Sequence, residues 1–207
     1  MIENYRVLCH SSIKIEGSKI IYFDPFKIKE NYNDADYIFC THSHYDHFSP
    51  EDIQKIKKEE TKLIVTKDAT DEAIKLVGKE NVLTVEPEEE YKIDEITFKT
   101  TYAYNKLKKF HPKVNNWVGY IVDIDGTKFY VTGDTDNIKE IQSVACDVAF
   151  IPVGGKFTMN YKEAARLANM IDAKIVVPTH YGEIVGDKED GKRFAELIKE
   201  KEVKIFI

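Results

Sequence analysis

The feature that most constrains this chain is a run of three histidines and an aspartate within six consecutive positions. It reads His42-Ser-His-Tyr-Asp-His47 and follows Tyr37 to Cys40, a short apolar segment typical of a buried strand. A strand that ends in such a run predicts a turn carrying several metal-ligating side chains at the edge of a sheet.

The spacing within the run divides its ligands into two pairs. Residues two apart in an extended segment point the same way, so His42 and His44 are able to bind one ion together. Asp46 and His47 lie beyond the bend, where they face a neighbouring second ion. Imidazole combined with carboxylate favours zinc, manganese or iron over calcium, which prefers oxygen ligands throughout.

The remaining sequence has the composition of a globular protein, with 207 residues, 43% of them hydrophobic and 32% charged. A chain of this length buries a core without disulfides, and no linker or repeat divides it. We therefore predict a single domain over residues 1–207. No apolar run approaches the ~18 residues of a membrane helix, and the three cysteines lie far apart. With no secretory signal visible, we expect a cytoplasmic protein and no membrane partner.

Charge narrows the class of partner. The chain has 30 basic and 36 acidic residues, a net charge of −6, so nucleic acid is not an expected partner. A basic loop nevertheless surrounds His111, formed by Lys106, Lys108, Lys109 and Lys113. Such a loop favours a small anionic substrate, for example one that carries phosphate. The sequence leaves the oligomeric state open.

Strand-like and helix-like segments form two β-rich halves, each followed by alternating strands and helices. The dipeptide Asp125-Gly126 predicts a hairpin turn in the second half. Capping and periodicity predict helices from Pro50 to about Glu60, from Asp68 to Val77, from Ile138 to Val144, from Asn160 to about Ile171 and from about Lys188 to Lys201. The pattern predicts two sheets packed together with helices outside.

The histidine run and two later landmarks resemble the signature of the metallo-β-lactamase superfamily. The landmarks are Gly133-Asp134-Thr135 and Pro178-Thr-His180, each after a predicted strand. Phe110-His-Pro-Lys and Pro152-Val-Gly-Gly155 further resemble small metal-dependent hydrolases related to ascorbate phosphate lactonase and the N-acyl-phosphatidylethanolamine phospholipase D type. The resemblance covers nearly the whole chain and implies an α/β fold, a four-layer αββα sandwich with a two-metal site at one edge.

The resemblance also implies a set of ligands and a reaction. The implied ligands are His42 and His44 on the first ion, Asp46, His47 and His180 on the second, and Asp134 as the bridge. The cofactors would be two divalent ions, with Zn²⁺ as the first choice and Mn²⁺ or Fe²⁺ as alternatives. A metal-bound hydroxide would then cleave a small anionic ester, either a phosphorylated lactone or a phosphodiester, with Asp46 and Asp134 as catalytic residues.

The sequence departs from the superfamily pattern where a third histidine for the first ion is expected. The segment Thr101-Tyr-Ala-Tyr-Asn105 contains none. Asn105 is a weak ligand, and His111 lies six residues later on the basic loop. That position suits metal ligation, substrate contact or solvation. The departure predicts a first metal site that is either weaker or filled only when substrate binds.

Three further residues are expected near the site. His10, at the end of an early strand, either contacts ligands or substrate or packs in the core. Asp24 either orients a ligand histidine or caps a turn, and Tyr181 is a candidate donor to an oxyanion. Two alternatives to a small-molecule hydrolase remain: an RNA or nucleotide phosphodiesterase, and a non-catalytic module that binds metal or anion with an eroded first site.

Overall fold

The apolar segments up to Val85 build the first of two β-sheets in the computed structural model, which describes residues 4–207. Six strands lie side by side in chain order: β1 (Tyr5–Cys9), β2 (Ser12–Glu16), β3 (Ile20–Phe23), β4 (Ala35–Phe39), β5 (Lys57–Thr66) and β6 (Val82–Val85). The pairs β1–β2 and β2–β3 are antiparallel, whereas β3 to β6 run parallel.

The second sheet has seven strands: β7 (Glu90–Ile93), β8 (Ile96–Tyr102), β9 (Val118–Ile124), β10 (Thr127–Val131), β11 (Ala145–Pro152), β12 (Asp172–Thr179) and β13 (Glu202–Val203). They also lie in chain order, antiparallel from β7 to β10 and parallel from β10 to β13. The predicted hairpin joins β9 to β10. Asp125 and Gly126 both have positive φ, as its tight turn requires.

The helices are α1 (Pro50–Ile56), α2 (Thr70–Val77), α3 (Tyr161–Met170) and α4 (Asp190–Ala195). The first two pack with apolar residues on the outside of the first sheet, and the last two do so on the second. Between the sheets lies an aromatic core, in which Phe39 meets Phe98 edge to face at 5.1 Å. The predicted αββα sandwich is confirmed. No helix within residues 4–207 is long and apolar enough to span a membrane.

Three predicted helices are wrong in length. The helix after Ser49 ends at Ile56 because Lys57 is extended and pairs with Ala35 of β4. Between Ile138 and Val144 only a short 3₁₀ turn forms. The last helix stops at Ala195, since Asn169 of α3 bonds the backbone of Leu197 and Lys199. In the first and last cases, tertiary bonds override local helix propensity.

The parallel strands of both sheets end at one edge of the sandwich. The chain turns sharply there, and His10, Asp24 and His180 all have positive φ. Backbone bonds join the two sheets at this edge: the His180 N–H donates to the His10 carbonyl at 2.9 Å, and the Val118 N–H donates to the Thr41 carbonyl at 3.1 Å. Side chains that follow different strands are thereby held close together.

Candidate metal centre

Strand ends deliver most of the predicted site residues to this edge. His10 follows β1, Asp24 follows β3 and the histidine run follows β4, whereas Asp134 follows β10 and His180 follows β12. The loop after β8 adds Asn105 and His111. The structure brings all of these side chains into one site, so residues up to 170 positions apart in sequence, such as His10 and His180, become neighbours.

Asp134 lies at the centre of the site, buried, with three imidazoles around its carboxylate. Its Oδ1 lies 3.4 Å from Nε2 of His47. Its Oδ2 lies 3.2 Å from Nε2 of His111 and 3.0 Å from Nε2 of His180. All three Nε2 atoms lie within ion-pair distance of this carboxylate, but none makes a hydrogen bond of normal geometry. Buried polar atoms without partners are costly unless something else binds them, so this donor set fits divalent metal ions.

Three triads of side chains have ligand atoms within 4.8 Å of one another: His42, His44 and His111; His42, His47 and Asp134; His10, Asp46 and His180. The first triad supplies the third histidine that the sequence left open between two residues. His111 occupies that place, despite lying outside the expected segment. The first triad offers only nitrogen ligands, and the other two each combine histidine nitrogen with a carboxylate. Neighbouring sets of these two kinds suit two zinc or transition-metal ions.

Asn105 contributes by orienting His111. Its Oδ1 accepts from the His111 backbone N–H at 3.2 Å and lies 3.0 Å from the ring Nδ1. The amide nitrogen of Asn105 donates to the Phe157 carbonyl at 2.9 Å, which leaves the oxygen facing the ring. Nδ1–H of His111 therefore donates to Asn105, and the ring directs Nε2 toward Asp134.

Asp24 orients the ring of His47 as Asn105 orients that of His111. Its Oδ2 lies 2.7 Å from Nδ1 of His47, and it also accepts from the backbone N–H and hydroxyl of Thr41. Burial lowers the pKa of His47, but the carboxylates of Asp134 and Asp24 outweigh burial and hold that pKa well above its usual range. Without metal, His47 is thus a cation between two carboxylates.

The other two motif histidines are neutral. Burial, followed by the nearby charge of His47, holds the pKa of His42 well below its usual range, and burial also lowers the pKa of His44. The Thr41 hydroxyl donates to Asp24, so at 3.0 Å it accepts from Nδ1–H of His42. Nε2 of His42 therefore carries no proton, and it lies within hydrogen-bond distance of Nδ1 of His44, at 3.0 Å.

His10 contacts the ligands rather than only packing in the core. Its Nε2 lies 3.3 Å from Oδ2 of Asp46, and its ring centroid is 3.8 Å from that of His180. Burial lowers the pKa of His10 to about 4, so the ring is neutral at pH 7. Despite its own burial, Asp46 has its pKa lowered to about 2 by His10 and His47 and remains ionised.

Tyr181 does not join the site, which corrects the expectation that its hydroxyl contacts an oxyanion. Its ring is buried in the apolar cluster between the second sheet and its helices, and its hydroxyl donates to the Ile207 carbonyl. The positive φ of His180 reverses the chain at that point and separates the two neighbouring side chains.

A cavity of about 210 Å³ opens onto the centre. It is lined by His44, Tyr45, Asp46, Phe110, His111, Asp134, Phe157, His180 and Ile184. Its four non-polar members were missed by the sequence analysis because they come from separate segments, although Tyr45 lies within the histidine run itself.

Three lysines of the basic loop are bonded away from this cavity. Lys106 donates to the Asn137 carbonyl, Lys108 binds Asp136 and the Thr158 carbonyl, and Lys113 binds Glu140. Lys109 is exposed and does not line the cavity. The basic loop therefore encloses His111 without presenting these charges to the cavity.

Comparison with known proteins gives similarities across the whole site. A family model described as a beta-lactamase superfamily domain matches residues 6–180. A UPF0173 metal-dependent hydrolase from Pyrococcus abyssi is 32% identical over 95% of this chain and 92% of its own. One from Pyrococcus furiosus is 31% identical over 94% and 91%. A solved structure described as a metal-dependent hydrolase from Parabacteroides distasonis has a TM-score of 0.82 and 28% identity, covering 96% of this chain and 90% of that one.

Proposed function

The chain belongs to the metallo-β-lactamase superfamily, among its metal-dependent hydrolases, and from that premise we propose that it cleaves an ester bond with water activated between two divalent ions. The bond is either a carboxylic ester, lactones included, or a phosphodiester, since both reactions use the same kind of centre. The segments around Phe110 and Pro152 resemble those of ascorbate phosphate lactonase, and we extend that resemblance to the proposed metal centre but not to a phosphate group on the substrate.

The observation that carries the proposal is the convergence on Asp134. Three buried Nε2 atoms, from His47, His111 and His180, lie 3.0–3.4 Å from its carboxylate without a hydrogen-bond partner. Buried structural histidines usually direct their ring nitrogens along hydrogen bonds, whereas these three Nε2 atoms approach one carboxylate without hydrogen-bond geometry. Their common direction toward one carboxylate supports a bridging role for Asp134.

We assign His42, His44 and His111 to the first ion and Asp46, His47 and His180 to the second, with Asp134 shared between them. When bound, two such ions lower the pKa of a water molecule and polarise the bond to be cleaved. Zn²⁺ is our first choice for this donor set, with Mn²⁺ and Fe²⁺ as alternatives.

The protein contributes orientation and a fixed acceptor. Asp24 and Asn105 hold the rings of His47 and His111 with their Nε2 atoms facing the centre. Asp46 lines the cavity, and its low pKa of about 2 keeps it ionised. It therefore acts as a hydrogen-bond acceptor that orients the attacking water.

The test combines metal content with turnover. Protein purified without chelator or affinity nickel is expected to hold about two equivalents of metal per chain by elemental analysis. Reconstituted protein is expected to hydrolyse phenyl acetate or bis(4-nitrophenyl) phosphate. Asp134→Asn should lose metal and turnover, whereas Asp125→Asn, the same change in the β9–β10 turn, should lose neither. Failure to bind metal after reconstitution would overturn the proposal.

One outcome of this test would favour the non-catalytic alternative. It depended on a missing third histidine, and His111 now lies with His42 and His44. Metal-loaded protein that binds two ions but turns over neither ester would favour that alternative.

A further inference from the structure

We propose that the substrate places an uncharged apolar group, an aryl or branched alkyl group, beside the bond that is cleaved. The inference rests on the proposed hydrolase and names its substrate class. It starts from the cavity at the proposed metal centre, whose lining includes, beside the predicted ligands, three aromatic rings and one aliphatic side chain: Tyr45, Phe110, Phe157 and Ile184.

Three of these side chains are exposed in spite of their size. Tyr45 is 66% exposed, Phe110 45% and Ile184 37%, and they come from three distant parts of the chain. Single exposed hydrophobic residues are ordinary, but several around the mouth of one cavity mark a surface that an apolar ligand covers.

The wall formed by Phe110 and Phe157 is built together with the ligand set. The two rings meet edge to face with centroids 4.7 Å apart. Phe110 directly precedes His111, and the Phe157 carbonyl accepts from the same Asn105 that orients His111. The apolar wall therefore has a fixed position relative to the centre, as a specificity surface requires.

Charge in the cavity argues against an anionic substituent. Among residues 4–207, no lysine or arginine lines it, and its only carboxylates are Asp46 and Asp134 of the ligand set. The proposed ions lie on the ligand side of the cavity, so a phosphate or carboxylate group held against the apolar wall would lose hydration without a cationic side chain beside it. The volume of about 210 Å³ lies below the ~300 Å³ at which pockets for drug-sized ligands begin, which limits the group to about one ring.

Matched esters test this inference on the metal-loaded protein. Phenyl acetate, 4-carboxyphenyl acetate and 4-phosphonooxyphenyl acetate differ in charge on one scaffold, and each rate is normalised to hydrolysis by hydroxide. We expect kcat/KM for the neutral ester to exceed that of both charged esters by about tenfold or more, since ~1.4 kcal/mol of unfavourable desolvation corresponds to tenfold.

Two variants distinguish a loss of substrate contact with the apolar wall from a disturbed metal centre. Phe110→Ala should lower kcat/KM for the neutral ester severalfold, leave the charged esters unchanged and retain metal. Phe206→Ala, the same change at a residue that is 39% exposed and does not line the cavity, should alter none of these values. Calorimetry with acetanilide and 4-acetamidobenzoate measures the same preference without turnover.

The outcomes distinguish the inference from the proposed function. Equal rates for neutral and charged esters, or faster turnover of a charged one, would overturn the inference and leave the hydrolase in place. If neither the acetates nor bis(4-nitrophenyl) phosphate is turned over, the proposed function fails, and calorimetry then decides only whether the cavity prefers a neutral aryl group. Tighter binding of acetanilide supports it, and equal or tighter binding of 4-acetamidobenzoate overturns it.

Discussion

The side-chain oxygen of Asn105 lies 3.0 Å from Nδ1 of His111, so the residue at the expected ligand position orients a ligand from six positions away. The proposed first metal site thus has three imidazoles close together, although the local sequence lacks the third. Asn105 replaces direct ligation with a hydrogen bond that fixes the tautomer and direction of the ring.

Removing that bond should weaken the first metal site. We expect Asn105→Ala to lower first-site affinity by about 10- to 100-fold, the usual effect of losing a residue that orients a ligand. Competitive metal titration against a chromophoric chelator measures it. Asn137→Ala, on a neighbouring loop where the side chain accepts from Gln142, is the matched control. Equal affinities for the two variants would rule out the orienting role.

Metal binding at the second site should release a proton from His47. The carboxylates of Asp134 and Asp24 raise the pKa of His47 well above its ordinary value, so the metal-free ring is protonated at neutral pH. A ligand nitrogen must lose its proton, so affinity should fall as pH decreases.

The number of protons released follows from calorimetry in two buffers of different ionisation enthalpy at one pH. We expect about one proton per second-site ion in the parent protein and fewer in Asp24→Asn, which lacks one of the charges that raise this pKa. Affinity that does not change between pH 6 and pH 8 would contradict the assignment.

Trp117 should report occupancy of the first site. It is the only tryptophan in the chain, and its ring lies 4.8 Å from that of His42 and 4.7 Å from that of His44. We expect Co²⁺, a paramagnetic ion, to quench its emission to saturation at one equivalent in the first site. His44→Ala should abolish the quenching that one equivalent of Co²⁺ causes in the parent protein. Quenching that persists unchanged in this variant would show that the ion binds elsewhere.

Gly154 leaves no space for a side chain beside the second site. A Cβ added there would lie 2.1 Å from the His180 carbonyl oxygen, a backbone atom that cannot move aside cheaply. We expect Gly154→Ala to lower the free energy of unfolding of the metal-free protein by about 2 kcal/mol or more and to weaken second-site binding.

Urea unfolding of the metal-free protein measures how much free energy of unfolding Gly154→Ala loses. The control is Gly126→Ala, where φ is +76° and no atom lies within 4 Å, so only the backbone preference costs about 1 kcal/mol. A smaller loss for Gly154→Ala than for Gly126→Ala would exclude the steric explanation.

The sequence predicted what depends on neighbouring residues. The predicted ligands from His42 to His47 follow from the spacing of one strand end, and Asp134 and His180 follow from turns after strands. The structure brings these side chains together, and their binding of metal stays a prediction. His111 was left open because its place depends on how the loop from Asn105 folds back, which is set by tertiary bonds to Asp136 and the Phe157 carbonyl.

The errors have similar physical causes. Tyr181 was assigned to the site because it adjoins His180, but a positive φ between them turns the phenol away. The lysines of the basic loop were interpreted by charge alone, and local partners such as Asp136 and Glu140 hold three of them elsewhere. The apolar wall gave no periodic signal because its residues belong to different loops.

The backbone bond between His180 and His10 joins the two sheets at the edge where ligands from both sheets meet. An ion bound by Asp46, which follows the first sheet, and by His180, which follows the second, would cross-link the two sheets. Such a cross-link raises the free energy of unfolding by RT ln(1 + [L]/Kd), about 2.7 kcal/mol at a free-ion concentration of 100 Kd. A chelator would therefore lower the melting temperature by releasing one layer from the other, and resistance to heat would depend on the supply of metal.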